Sequence, residues 1–284
     1  MTTLNFIYPE RSDIKFTTMV FPDGQPHLKV DMASLAGLDL RNDVAIVTRI
    51  SSTNDLLLAL LAKNVLGYEG FERVELHISY LMGARMDRVM QDGEPFSLKV
   101  IAGIINGAGF KKVLIFDPHS EVATAVIDRS YTVTNHRFVK DAVDDYLSTH
   151  KPASYCIASP DAGALKKIYK LAQYLDIDNI VECSKVRDLK TGALSGFKTS
   201  ATDLTGQTCI IVDDICDGGG TFTGTAAVLK AVGAAHVVLI VSHGIFSKGI
   251  NIAQVDAIYS TDSYRCVEGV KCFEVGKYLR DSDK

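Results

Sequence analysis

The sequence predicts an α/β protein built from two doubly wound domains with parallel sheets. Short runs rich in apolar residues recur along the chain, and segments of helical length and period separate them. The runs are apolar almost throughout rather than alternating, which is typical of strands covered by helices on both faces. Strand and helix alternating in this way indicate parallel sheets.

Six strands and five helices carry this prediction. The strands are predicted at residues 43–49, 74–79, 111–117, 155–159, 208–214 and 236–242. Crossover helices are predicted at residues 54–66, 95–108, 162–175 and 221–232, with a shorter helix at 139–148.

The strands fall into two series, which indicates two domains. A chain of 284 residues is long for one domain, since domains average about 150 residues. Residues 118–152, between the two series, are polar and turn-rich. We therefore predict one domain at residues 1–138 and a second at 139–284. The last ~12 residues are expected to pack back on the first domain.

Composition excludes several classes of protein. The chain is 47% hydrophobic and 23% charged, which is ordinary for a globular protein and excludes a disordered, collagen-like or coiled-coil chain. Its net charge of -4 argues against broad binding to nucleic acid or anionic membranes. The apolar runs are far shorter than the ~20 residues of a membrane-spanning helix, and the N-terminus lacks the pattern of a secretory signal. We expect a cytoplasmic protein without nucleic-acid or membrane partners.

The six cysteines are predicted to be reduced, buried thiols. None are arranged as C-x-x-C, and most lie in apolar runs. In a chain of this length without a secretory signal, that pattern argues against both disulfides and a zinc site.

The most informative segment follows the fifth predicted strand. Two aspartates end the strand, and a third aspartate and three glycines lead into the next helix. Glycines let backbone N–H groups turn towards a ligand, and a helix N-terminus attracts an anion, so the segment suits a phosphate. The carboxylates can accept hydrogen bonds from sugar hydroxyls beside it. The predicted ribose-phosphate site comprises Asp213, Asp214, Asp217, Gly218, Gly219, Gly220 and Thr221.

This segment and six others resemble a known enzyme family. VDDICDGGGT (212–221) resembles the phosphoribosyl diphosphate signature of the phosphoribosyltransferase-type fold. The other segments resemble, in order and spacing, those of the ribose-phosphate pyrophosphokinase (phosphoribosyl diphosphate synthetase) family, most closely its compact archaeal-type and phage-type members. They are FPDGQ (21–25), STND (52–55), GARMDRVMQDGEPFSLKV (83–100), FDPHS (116–120), SPDAGALKK (159–167) and SHGIFSKG (242–249).

The resemblance implies two phosphoribosyltransferase-like domains and a diphosphoryl transfer. Members of the family move the β,γ-diphosphoryl group of ATP to the anomeric 1-hydroxyl of ribose 5-phosphate, with Mg²⁺, giving AMP and phosphoribosyl diphosphate. In the family an adenine-binding strip reaches the site of a neighbouring subunit, so a homo-oligomer is implied. Gln25 departs from the Glu usual there. The residues that match the family's ATP-binding positions are Phe21, Asp23, Gln25, Arg85, Asp87 and Arg88.

Metal-binding and catalytic residues are also implied by the resemblance. His119 and Asp161 match the family's metal-associated residues. Residues 182–192 are polar and basic, which predicts a loop, and Lys185 and Arg187 match the K-x-R pair of the family's mobile catalytic loop. Two cations over the ATP phosphates would neutralise developing charge and exclude water. The candidate catalytic residues are Lys185, Arg187 and Asp214.

The sequence leaves two acceptor substrates open. Gly218 stands where the family usually has Thr, which predicts open space beside the 5-phosphate. ADP-ribose could enter such a space, and the chain is similar to phage-type members that form ADP-ribose pyrophosphate in NAD⁺ salvage.

Two further classes compete with a pyrophosphokinase: a non-catalytic regulatory homologue and a salvage phosphoribosyltransferase. Retention of the site residues argues against a regulatory homologue. The ATP-side half of the chain argues against a salvage transferase, which would not need it.

Overall fold

The structure, a computed structural model, describes residues 1–187 and 194–279. The chain forms two compact units, one of residues 1–134 together with residues 276–279, and the other of residues 135–275. In the first unit the backbone N–H of Gly276 donates to the hydroxyl of Tyr8 at 3.4 Å. Two separate parts of the sequence therefore contribute to the first unit.

The first unit is built on a five-stranded sheet that is parallel throughout, with a separate two-stranded antiparallel hairpin. Its strands are β1 (Thr2–Asn5), β2 (Phe16–Val20), β3 (Pro26–Val30), β4 (Val44–Ile50), β5 (Val74–Leu81), β6 (Lys112–Phe116) and β7 (Ser130–Val133). Its α-helices are α1 (Thr53–Tyr68), α2 (Ser97–Gly107) and α3 (Val122–Val126). The sheet order is β1-β4-β5-β6-β7, and β2 pairs with β3 in the hairpin.

The second unit has a seven-stranded sheet in which one edge pair is antiparallel and the remaining pairs are parallel. Its strands are β8 (Tyr155–Ser159), β9 (Ile180–Arg187), β10 (Leu194–Thr199), β11 (Thr208–Cys216), β12 (His236–Gly244), β13 (Ala257–Thr261) and β14 (Lys271–Phe273). Its α-helices are α4 (His136–His150), α5 (Leu165–Leu175) and α6 (Gly220–Ala231). The sheet order is β10-β9-β8-β11-β12-β13-β14.

The predicted α/β class with parallel sheets is confirmed. Each of the six predicted strands and five predicted helices is present, with ends shifted by a few residues. The central strands are covered on both faces, as their continuous apolar sequence indicates: Ile210 and Ile211 of β11 are fully buried, as are Val238 and Leu239 of β12.

Residues 182–187 form part of β9 rather than the predicted loop. Burial alternates along this segment, since Val181 and Cys183 point into the core while Glu182 and Ser184 face outward. That alternation, together with antiparallel pairing to β10, stabilises a strand despite the polar and basic composition.

The prediction that all six cysteines are reduced is wrong. Cys266 and Cys272 form a disulfide, with their Cα atoms 5.8 Å apart. The connection between β13 and β14 turns back on itself and brings these two residues within bonding distance, which their spacing in the sequence does not reveal. The remaining four cysteines are free and buried, as predicted: Cys156, Cys183, Cys209 and Cys216.

Within the described part of the chain, none of the helices combines the length and the apolar character needed to cross a bilayer.

Candidate functional site

A glycine loop, residues 217–221, joins the end of β11 to the start of α6. Gly219 is the N-cap of α6 and has φ +75°, a conformation that L side chains rarely adopt. A Cβ on Gly219 would also lie 3.1 Å from Cγ1 of Ile252. A glycine is required here, and it turns the loop so that the backbone N–H groups at the N-terminus of α6 are available to an anion.

Two adjacent carboxyl groups end β11. The backbone N–H of Asp214 donates to Oδ1 of Asp213 at 2.9 Å, and Asp214 is only 8% exposed. Burial raises the pKa of Asp213 well above its usual range, and the neighbouring carboxyl groups of Asp214 and Asp161 raise it further. Hydroxyl donors of a sugar would stabilise the ionised form of these carboxyl groups.

Lys185 connects three elements of the second unit. Its ammonium lies 2.8 Å from Oδ2 of Asp161, after β8, and donates to Oγ1 of Thr221, at the start of α6, at 3.0 Å. The Lys185 side chain is 13% exposed. The other oxygen of Asp161 accepts the backbone N–H of Ala164 at 3.0 Å, which fixes the carboxylate. Three residues predicted separately from sequence are thus brought together beside the glycine loop.

A second segment contacts the glycine loop, and the sequence assigned no role to its residues. The hydroxyl of Ser247 donates to Oδ1 of Asp217 at 2.5 Å. The stem of Lys248 lies beside Gly218, where a Cβ would be 3.4 Å from Lys248 Cδ. The expectation of open space at Gly218 is therefore wrong, because the Lys248 side chain occupies it. The SHGIFSKG segment is recognisable in the sequence as one that resembles the family, but no pattern in it indicates which of its residues reaches the glycine loop.

The predicted adenine strip lies in the turn of the β2–β3 hairpin in the first unit. The backbone N–H of Phe21 donates to the carbonyl of Gln25 at 2.9 Å, and Oδ1 of Asp23 accepts the Gln25 N–H at 3.1 Å. The Phe21 ring is 37% exposed and its centroid is 5.4 Å from that of His27. The turn therefore presents an aromatic face and polar groups together.

The other predicted residues of the first unit follow β5 and β6. Arg85, Asp87 and Arg88 lie in the connection from β5 to α2, with both arginines exposed. The Nε of Arg88 is 4.0 Å from Oδ1 of Asp87. His119 is exposed just after β6, two residues beyond Asp117, which is 4% exposed and has φ +37°. These side chains lie at the carboxyl ends of parallel strands, where α/β sheets bind ligands.

Comparison with known proteins shows which family this arrangement resembles. Residues 135–271, which make up nearly all of the second unit, match the phosphoribosyl transferase domain. The ribose-phosphate pyrophosphokinase of Pyrococcus abyssi is 27% identical over 231 residues, covering 81% of this chain and 76% of that protein. That of Hyphomonas neptunium is 28% identical over 260 residues, covering 89% of this chain and 79% of that protein.

The chain resembles the ribose-phosphate pyrophosphokinases, and it is an enzyme of that transferase type. A solved structure shares the fold: the phosphoribosylpyrophosphate synthetase of Mycobacterium smegmatis has a TM-score of 0.78 and 17% identity, covering 98% of this chain and 96% of that one. The predicted fold of two phosphoribosyltransferase-like domains is confirmed.

The resemblance to ribose-phosphate pyrophosphokinases implies Mg²⁺, and the acidic residues of the second unit suit it. Among the residues that the structure describes, no group of three or more His, Cys, Asp or Glu side chains is arranged to hold a metal ion. Mg²⁺ is commonly bound by one or two carboxylates together with substrate phosphates, however. Asp161 offers such a carboxylate, and its charge adds to the repulsion at Asp213. His119 and Asp161 stay the predicted metal ligands.

Arg187, the second cation of the pyrophosphokinase-like K-x-R pair, ends β9. Its side chain lies outside the described residues, as does the connection at 188–193. Its catalytic role stays a prediction.

Proposed function

We propose that this enzyme transfers the β,γ-diphosphoryl group of ATP to the anomeric 1-hydroxyl of ribose 5-phosphate. The products are AMP and phosphoribosyl diphosphate. The observation that carries the proposal is Lys185, a cation placed against both Asp161 and Thr221 at the glycine loop. The pyrophosphokinase relatives and the phosphoribosyl transferase domain support the same reaction.

The glycine loop is proposed to bind the ribose phosphate. Backbone N–H groups of Gly218, Gly219 and Gly220 and the hydroxyl of Thr221 donate to the 5-phosphate at the N-terminus of α6. Asp213 and Asp214 accept hydrogen bonds from the ribose hydroxyls, and Asp217 holds the loop through Ser247. Hydroxyl donors stabilise the crowded carboxylates, which favours a sugar over a bare phosphate.

Lys185 is proposed to stabilise the charge that develops during transfer. The 1-hydroxyl oxygen forms a bond to the β-phosphorus as its proton passes to solvent water, and the bond from that phosphorus to the oxygen bridging the α-phosphate breaks, so that AMP leaves. Negative charge grows on the bridging oxygen and the β-phosphate oxygens, where a fixed cation lowers the barrier. Arg187 supplies a second cation, and Asp214 orients the ribose hydroxyls for attack.

The ATP side is assigned to the first unit. The exposed ring of Phe21 stacks on adenine, with Asp23 and Gln25 reading the base edge, and Arg85 and Arg88 bind phosphates, as planar guanidinium groups do well. Asp87 orients Arg88.

Mg²⁺ would neutralise phosphate charge when bound with ATP, and His119 in the first unit and Asp161 in the second are each proposed as a protein ligand for such an ion. We further propose a homo-oligomer in the cytoplasm, on the family resemblance.

Ribose 5-phosphate is the proposed acceptor rather than ADP-ribose. Two features favour ADP-ribose, the absence of a side chain at Gly218 and the resemblance to phage-type members, but the stem of Lys248 lies beside Gly218. The relatives are named for ribose phosphate as well.

Chromatographic measurement of AMP release tests the function. The purified chain is incubated with ATP, Mg²⁺ and ribose 5-phosphate, ADP-ribose or no acceptor. We expect AMP with ribose 5-phosphate, and loss of AMP formation in Lys185→Met with ATP binding retained. Lys170→Met, which removes an exposed charge on α5, is the matched control and should be unaffected. Absence of AMP with ribose 5-phosphate contradicts the proposal, and AMP with ADP-ribose alone would reassign the acceptor.

A further inference from the structure

Lys248 lies across the face of the glycine loop that Gly218 leaves without a side chain. A Cβ built on Gly218 would be 3.4 Å from Cδ of Lys248, 3.5 Å from its Cε and 3.8 Å from its Cγ. Three carbons of the stem are thus in van der Waals range of one position. A β-branched residue at 218 would extend beyond Cβ into the space that these carbons occupy.

Hydrogen bonds to the end of β11 hold the segment that carries Lys248. The backbone N–H of Phe246 donates to the carbonyl of Cys216 at 3.1 Å, and the N–H of Ser247 donates to the carbonyl of Asp217 at 3.2 Å. The Ser247 hydroxyl adds a bond to the Asp217 carboxylate. Lys248 is therefore in fixed register with the glycine loop, one residue beyond a side chain that anchors it.

None of the described residues neutralises the charge of Lys248. Its ammonium has no hydrogen-bond or ion-pair partner among the described residues. The other lysine at the loop, Lys185, is already paired with Asp161. Of the two lysines near an anion at the N-terminus of α6, Lys185 is thus paired with a carboxylate, whereas the N–H donors of Lys248 remain available.

We infer that Lys248 binds the 5-phosphate of the acceptor and that Gly218 admits its stem to the loop. The inference rests on the proposed function, because it takes a ribose phosphate to be the acceptor. Loop N–H groups bind the phosphate from the side of α6, and the ammonium binds from the side of the 245–249 segment. A phosphomonoester carries about -1.5 to -2 charges at pH 7, so an added cation favours a terminal phosphate over a singly charged diester.

Calorimetric titration of ribose 5-phosphate tests the inference without turnover. Lys248→Met keeps the apolar stem and removes the charge, and it should raise Kd roughly 10- to 100-fold, the loss expected for a hydrogen bond to a charged group. Lys170→Met is the control for an exposed lysine of the same unit and should bind as the wild type does. A Kd for Lys248→Met within about twofold of the wild-type value, a difference below 0.5 kcal/mol, overturns the inference.

Gly218→Val provides a second and independent variant. Valine would displace the Lys248 stem without adding a hydroxyl donor, so we expect weaker binding than in the wild type. In the Lys248→Met background the same substitution should cost much less, because no charge remains to be displaced. Equal losses in both backgrounds overturn the role assigned to Gly218.

The binding and turnover measurements separate this inference from the proposed function. Weakened binding in Lys248→Met, with no AMP release by the wild type, would support the Lys248 assignment and contradict the proposed reaction. AMP release with an unchanged KM for ribose 5-phosphate in Lys248→Met would support the proposed reaction and contradict the Lys248 assignment. Failure of the wild type to bind ribose 5-phosphate overturns the inference.

Discussion

Lys185 and Asp161 form an ion pair of 2.8 Å at the glycine loop, with the lysine side chain 13% exposed and the aspartate 30% exposed. Lys185 is also bonded to Thr221, so a single ammonium connects the end of β8 to the start of α6. The Asp161 carboxylate has acceptor sites beyond those taken by Lys185 and Ala164, so it could still contribute an oxygen to a metal ion. Lys185 would keep its hydrogen bond to Thr221 and stay at the glycine loop if Asp161 held a metal ion.

The Lys185–Asp161 ion pair should contribute to the free energy of unfolding, and the effects of removing its two members should not be additive. We expect the single variants Lys185→Met and Asp161→Asn and their double variant to give a coupling free energy of about 1 kcal/mol, because the pair is partly buried. Urea unfolding of the four proteins measures it. The exposed pair Lys140–Asp144, with side chains 52% and 57% exposed, is the control and should couple less. Equal coupling in both pairs would contradict this prediction.

Gly224 should resist substitution because Phe197 of β10 packs over its Cα in α6. A Cβ there would overlap the Phe197 ring. We expect Gly224→Ala to destabilise the protein by about 1–3 kcal/mol, the usual effect of overpacking. It should also raise the KM for ribose 5-phosphate, since β10 pairs with the strand that carries Lys185.

Gly103→Ala is the matched control for Gly224→Ala. Gly103 lies in α2 with nothing within 4 Å of its Cβ position, so alanine should stabilise by about 0.5–1 kcal/mol through helix propensity. Thermal unfolding of both variants measures the contrast. Shifts of the same sign would show that Phe197 does not constrain Gly224.

The cysteines should fall into two classes of reactivity, four free thiols and two disulfide-bonded residues. Burial raises the pKa of Cys183 to about 11 and that of Cys216 to about 12, so neither forms much thiolate at pH 8. We expect iodoacetamide to label none of the cysteines in the native protein. After unfolding without reductant it should label the four free cysteines, and after reduction all six. Intact mass measurement counts the labels, and six labels without reductant would exclude the Cys266–Cys272 disulfide.

Asp43 should make the first unit sensitive to acid. Its carboxylate accepts hydrogen bonds from Lys111 at 2.6 Å and Arg73 at 2.9 Å, and the Lys111 contact does most to lower its pKa. A lowered carboxyl pKa stabilises the folded state above the unfolded-state value of about 3.9, and this stabilisation is lost as pH falls through the folded-state pKa.

Asp43→Asn tests this dependence. The variant should be less stable than the wild type by about 0.5–1 kcal/mol between pH 5 and pH 7, a value limited by partial exposure of the pair. The difference should shrink below pH 4. Urea unfolding at pH 3, 5 and 7 measures it. A difference that stays constant down to pH 3 would mean that ionisation of Asp43 contributes nothing.

Some elements could be predicted from sequence because their apolar residues are the buried ones and their polar residues lie at the edge of the sheet. The run TCIIVDD is apolar where β11 crosses the core and acidic where it reaches the ligand edge, so both the strand and its functional end are visible. The start of α1 is also visible in the sequence, because Ser52 and Asp55 of the STND segment form a capping box.

Other features depend on contacts that no local pattern records. Strand β9 has a polar sequence and is stabilised by pairing with β10, whose position is set by tertiary packing on α6. Lys248 reaches Gly218 because the backbone of the preceding residues bonds to Cys216 and Asp217. The periodicity of a sequence does not reveal such contacts between distant residues. Nor does it reveal the disulfide that closes the β13–β14 connection.

The contact between Tyr8 and Gly276 has a consequence for the order of folding during translation. The second unit is one uninterrupted stretch, so every residue it needs has been made by residue 275. The first unit begins the chain, yet Tyr8 must wait for Gly276, and the buried side chains of Tyr278 and Leu279 arrive after that. On the ribosome, the half of the enzyme that is synthesised first is therefore the half that is completed last.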